Sequence, residues 1–155
     1  MLKKETYLSP DLGFYIKPNQ KDKKKLYNYH RRNFKTVAIT MRPYRFPEYK
    51  DGEKRYKLYV NEMAKVNKEL IRKGYHPVFV AHTIGPSSHE DDRIALLEVI
   101  NKLKAQGISD YEYSYIDDPE MNCYDLTDLY SEVDYIIGTR FHSVIFAMAS
   151  YTPAI

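Results

Sequence analysis

The chain changes character near residue 36. Before that point polar and basic positions dominate, and Pro10, Gly13 and Pro18 break any long element. After it, short β-branched apolar runs alternate with longer amphipathic stretches. Residues 36–41 read as a buried strand, and residues 42–47 as the loop that leaves it. Residues 53–73 predict a helix with Leu58, Met63, Val66, Leu70 and Ile71 near one face, stopped by Gly74. Residues 76–82 form a second predicted strand, followed by a loop over 83–89. Ser88 or His89 then precedes three acids that suit a helix start, and Ile94, Leu97, Ile100 and Leu103 mark the buried face of that helix, which Gly107 ends. Residues 111–116 predict a third strand. Residues 126–133 predict a short helix capped by Asp125. A fourth strand over 135–137 turns through 138–142 into a helix over 143–150, and an apolar run begins again at Pro153.

Strands that alternate with amphipathic helices imply crossover connections and a parallel sheet. The expected fold class is α/β, an open doubly wound parallel sheet. The expected domain spans residues 36–155, preceded by a linker segment over 1–35. The apolar run at the end suggests that the chain is one part of a longer, two-domain protein.

Composition narrows the function classes. The chain has 155 residues, 43% hydrophobic and 29% charged, which fits one domain with a real core and excludes wholesale disorder. No apolar stretch approaches the length of a membrane span, and the start lacks the apolar segment of a signal peptide. One cysteine, Cys123, excludes an internal disulfide and a cysteine-based zinc site, and reads as a small buried or half-exposed residue rather than a nucleophile. These features lead us to expect a cytoplasmic protein. Net charge is +3, too mild to argue for nucleic acid. Its excess lies in residues 21–25 and 30–32, with Tyr27 and Tyr29 between, and reads as a solvated linker or helix face.

Candidate chemistry follows from the sheet. Ligands of an open parallel sheet bind beyond the carboxyl ends of its strands. That rule selects Thr40, Arg42, Tyr44 and Arg45 after the first strand. It selects His82, Thr83 and Gly85 after the second, and Gly138, Thr139, Arg140 and His142 after the fourth. Arginine matches carboxylate or phosphate as a two-pronged donor, a helix start adds N–H groups, and histidine exchanges protons near neutral pH. The set is suited to an anionic substrate. Simpler readings stand beside it. Arg42 also reads as a surface residue at a strand end, His82 as a strand cap and His142 as a local packing residue. Asp91 and Asp92 read as helix-dipole residues, and Asp117 and Asp118 as a loop pair. No ligand spacing suggests a metal, and neither a dinucleotide fingerprint nor a phosphate-binding P-loop is present.

The run from Gly138 to Met148, followed by Pro153, resembles the polysaccharide pyruvyl transferase family. Residues 9–14, the strand 37–42 ending in arginine, and Glu90-Asp91-Asp92 add to the likeness. The resemblance implies a glycosyltransferase-B-like pair of Rossmann-like domains, of which this chain is most of the second, donor-binding one. It implies transfer of pyruvate from phosphoenolpyruvate onto two hydroxyls of a saccharide acceptor, forming a ketal on cell-surface polysaccharide, without a metal or other cofactor. By resemblance, Arg42 maps onto the donor-binding arginine and His142 onto the essential histidine. With Arg140 they would hold the donor, assisted by Thr139, Gly138 and His82, and His142 would protonate the methylene carbon or the departing phosphate. A family lysine that serves the donor would fall past Ile155. Tyr151 stands where the family usually has glycine. Two other readings remain open: a sugar-nucleotide-dependent glycosyltransferase domain of the same layout, and a non-catalytic binding domain whose sixteen tyrosines supply a contact surface.

Overall fold

The computed structural model describes residues 8–18 and 34–155. The basic clusters at 21–25 and 30–32 lie outside the described residues. A short 3-10 turn, Leu12–Tyr15, is followed after the undescribed stretch by the alternating elements β1 (Lys35–Thr40), α1 (Gly52–Arg72), β2 (Tyr75–Val80), α2 (Asp92–Ala105), β3 (Ser114–Ile116), α3 (Cys123–Glu132), β4 (Tyr135–Gly138) and α4 (Phe141–Ala149).

The four strands form one sheet in the order β3-β2-β1-β4, and every pairing is parallel. The final apolar run adds a bridge at the β4 edge, where Ala154 pairs in parallel with Ile136. The chain first steps outward from β1 through β2 to β3, then returns to the other side of β1. One core contains Tyr56, Val60 and Met63 of α1, Leu96, Val99, Ile100 and Leu103 of α2, and Ile39 and Phe79 of the sheet. The other joins Ala38, Val78 and Ile136 to Leu126, Leu129 and Tyr130 of α3 and Ile145 and Phe146 of α4. The sheet is therefore covered on both faces, as the doubly wound reading expects. Among the described residues, no helix is long and apolar enough to cross a membrane.

Several local expectations are corrected. Helix α1 buries Tyr56, Val60, Met63, Ala64 and Asn67, while Leu58 is 58% exposed and Val66 40%. The aromatic ring of Tyr56 rotates the buried stripe away from the positions that aliphatic spacing alone selects. On α2, Leu97 is exposed and Ala95, Leu96 and Val99 are buried instead. That helix begins at Asp92 with Asp91 as its cap, because the Asp91 carboxylate accepts the Arg93 N–H. Helix α3 starts earlier than predicted. Asn122 is its cap, and Asp125 returns a bond to the Asn122 N–H, completing a capping box. The third strand is shorter than expected, since residues 111–113 lie outside it.

Tyr151 adopts φ 60°, the left-handed conformation that favours glycine. Its N–H bonds to Met148 C=O at 3.0 Å and the Thr152 N–H to Ala147 C=O at 2.8 Å, a Schellman closure of α4. A glycine would adopt this conformation without the strain that the Tyr151 side chain imposes.

Candidate functional site

The strand order reverses between β1 and β4, and the crevice beyond such a reversal is where open α/β sheets take ligands. The two strand ends are stitched together. Gly138 lies opposite Thr40. The Thr139 N–H and hydroxyl both donate to Thr40 C=O, at 3.2 and 3.1 Å. The same hydroxyl accepts the Arg42 N–H at 2.8 Å and the Tyr59 hydroxyl at 3.3 Å. One donor and two lone pairs are thus all used within the protein. Thr139 fixes the backbone at Arg42. Gly138 has a packing reason: a Cβ there would lie 2.8 Å from both Ser143 Oγ and Val144 Cγ2. Glycine lets α4 close onto β4, and Ser143 Oγ then bonds Thr40 Oγ1 at 2.9 Å.

Above this seam runs a chain of charges. Arg140, the residue before α4, sends Nε and Nη2 to Asp92 Oδ1 at 2.9 and 2.7 Å. Its Nη1 reaches Glu90 Oε2 at 2.9 Å, and Nη2 also reaches the Glu90 carbonyl at 3.0 Å. The other Glu90 oxygen accepts from Arg42 Nη2 at 3.0 Å. One carboxylate therefore joins Arg42 and Arg140. The inner pair is buried, with side-chain exposures of 12% for Arg140 and 0% for Asp92; Arg42 and Glu90 are each 42% exposed. The Arg140 hydrogen bond holds the Glu90 carboxyl below the usual carboxylate range. Burial pushes the Asp92 carboxyl up, against the pull of Arg140 and of the Thr83 N–H that donates to it.

Arg42 also borders a cavity of about 310 Å³, lined with Tyr44, Phe46, Tyr59 and Thr139. Its guanidinium lies 5.3 Å from the Tyr44 ring centre, and Tyr44 meets Phe46 edge to face at 5.0 Å. Phe46 holds φ 51°, a strained conformation for a bulky residue, at the wall of this cavity.

The two histidines lie toward the α3–α4 side and differ from each other. His82, just after β2, bonds through Nδ1 to the Tyr130 hydroxyl at 2.9 Å and stacks on that ring. Burial first, then the charges of Arg140 and His142, push its pKa down to about 4. It is neutral at physiological pH. His142, in the first turn of α4, is exposed, and its Nε2 faces the Asp11 carboxylate at 3.8 Å. Phe146 touches both rings, with centroids at 5.5 Å from His82 and 6.1 Å from His142.

The six residues assigned to the donor, Arg42, His82, Gly138, Thr139, Arg140 and His142, lie at or just after the carboxyl ends of parallel strands, so they share one end of the sheet. Arg42, Thr139, Gly138 and Arg140 form one connected network. His82 and His142 are joined to each other by Phe146, and the charge of Arg140 reaches His82. The sequence reading did not single out Glu90 as a bridge, Tyr59 as a cavity wall, Tyr130 as the partner of His82, or Asp11 beside His142. The three acids at 90–92 were its one visible signal, and there they read as helix-dipole residues.

No curated protein and no solved structure gives a significant match to the chain. The family model described as polysaccharide pyruvyl transferase matches residues 1–155, the whole of the sequence, and the chain belongs to that family.

Proposed function

We propose that this rim binds phosphoenolpyruvate and serves transfer of its pyruvyl group to two hydroxyls of a saccharide, forming a ketal. The observation that carries the reading is the meeting of Arg42 and Arg140 on one carboxylate beside an aromatic-walled cavity. Two guanidinia already arranged around an anion suit a carboxylate or a phosphate. Arg42 holds the donor at the cavity mouth. Arg140, tied to buried Asp92, gives the far side of the site a fixed positive charge. The first turn of α4 adds backbone N–H groups and a partial positive charge.

His142 is the general acid of this scheme. It delivers a proton to the donor's methylene carbon, and the carbon beside the carboxylate becomes oxocarbenium-like. One sugar hydroxyl adds, the phosphate departs, and the second hydroxyl closes the ketal. Of the two hydroxyl protons, one restores His142 and the other leaves with phosphate. His82, neutral and bonded to Tyr130, supports the rim and takes no part in the proton transfers. The family resemblance also implies a second α/β half that faces this rim and completes the acceptor site.

Two measurements test the reading. Calorimetric titration should show phosphoenolpyruvate binding that nucleotide sugars do not reproduce, and Arg42→Ala should weaken it at least tenfold. Replacing His142 with Ala in the enzyme should lower kcat by a factor of about 100 or more, the usual worth of a positioned acid, with donor affinity nearly unchanged. Full turnover in that variant would remove His142 from the chemistry.

A further inference from the structure

Glu90 and Asp92 both face Arg140, but only one of them is held on all sides. Asp92 is fully buried and takes Arg140 Nε, Arg140 Nη2 and the Thr83 N–H. Glu90 takes one side-chain bond from each arginine and is 42% exposed. Its main chain, by contrast, is fixed. The Glu90 N–H donates to Ser87 C=O at 3.0 Å, and its own carbonyl accepts from Arg140 Nη2 at 3.0 Å. Gly85 packs so closely that a Cβ there would lie 2.5 Å from Glu90 Cβ. The carboxylate can therefore turn toward solvent while its backbone stays in place.

Arg42 is correspondingly underused. Its Nη2 makes a single bond to Glu90, and its buried Nε has no partner. A guanidinium fork is built for two parallel bonds to an anion. Two guanidinia brought this close also repel each other unless an anion lies between them.

We propose that Glu90 is a stand-in anion: its carboxylate occupies the place between Arg42 and Arg140 that the donor's anionic group takes, and the donor enters by displacing it. In the empty site Glu90 keeps the two arginines together. On binding, its side chain swings to solvent, and Arg42 completes its fork on the ligand. This rests on the donor reading above and adds a specificity consequence. A weak monoanion exchanges poorly against Glu90, whereas a ligand with more negative charge exchanges well.

The test is calorimetric titration of the full chain and of Glu90→Gln, with inorganic phosphate and with phosphoenolpyruvate. Glutamine keeps the size and one acceptor but removes the charge. Phosphate and phosphoenolpyruvate should each bind the variant roughly three- to tenfold more tightly, the worth of one or two half-exposed ion pairs. A merely structural Glu90 gives the opposite sign, because its loss loosens both arginines. Equal or weaker phosphate binding by the variant, or no phosphate binding by either protein, overturns the exchange. Should Glu90→Gln fail to fold, Glu90→Asp is one methylene too short to span both guanidinia and should shift affinity in the same direction. Tighter phosphate binding without selective phosphoenolpyruvate binding would sink the donor reading and leave the exchange standing. Selective phosphoenolpyruvate binding that Glu90→Gln leaves unchanged would do the reverse.

Discussion

The inner and outer ends of the rim are made of the same residue types under different solvation. Inside, Arg140 and Asp92 pair out of water, and His82 is shut against Tyr130. Outside, Arg42 meets Glu90 and His142 meets Asp11 in partly exposed positions. Breaking a buried pair strands a charge in a poor solvent, while an exposed pair is screened and contributes little. The inner end thus ties the loops after β2 and β4 together through Asp92, and on the proposed reading the outer end exchanges partners with a ligand. On that reading the same chemistry serves architecture at one depth and binding at another.

That contrast is open to direct attack. The largest effect belongs to Asp92→Ala, which leaves Arg140 buried with one partner fewer. Denaturant unfolding should show a loss of roughly 3 kcal/mol or more, and a loss under 1 kcal/mol would erase the distinction between the two ends.

Next comes the protonation of His82. Its folded pKa of about 4 lies below the ordinary 6.5, so the unfolded chain takes up the proton first. This contribution to stability is complete above pH 6.5, falls as pH drops toward 4, and levels off below that. Against His82→Gln, the natural protein should lose on the order of 3 kcal/mol across that window. Parallel pH profiles for the two proteins would show that the ring is not shielded.

The smallest effect on stability belongs to the outer pair. Arg42→Ala should cost roughly 1 kcal/mol or less in unfolding free energy, while its effect on donor affinity is the large one. A double-mutant cycle over Arg42 and Glu90 measures their coupling, and a value near that of Asp92 and Arg140 would merge the two regions.

The fold was legible because its signals are local. Thr36 to Met41 and His76 to Ala81 announce themselves as strands by β-branched and apolar runs, and parallel crossovers follow from the helices between. Boundaries were less legible where side-chain caps decide them. Asn122 captures α3 ahead of Asp125, and Asp91 captures α2 after His89. Arg42, Arg140 and His142 were found because strand ends in a parallel sheet must share one rim.

The sequence alone determined the alternation of elements, the class of sheet and the residue types at its carboxyl end, all of which depend on neighbours a few positions away. It left undecided which of those groups are occupied. Glu90 stands 48 residues from Arg42 and 50 from Arg140, and only the folding of the loop before α2 over the ends of β1 and β4 brings the three together. Burial then separates Asp92 from Glu90 and His82 from His142, because the cost of a charge depends on its distance from water, which is set by the assembled fold.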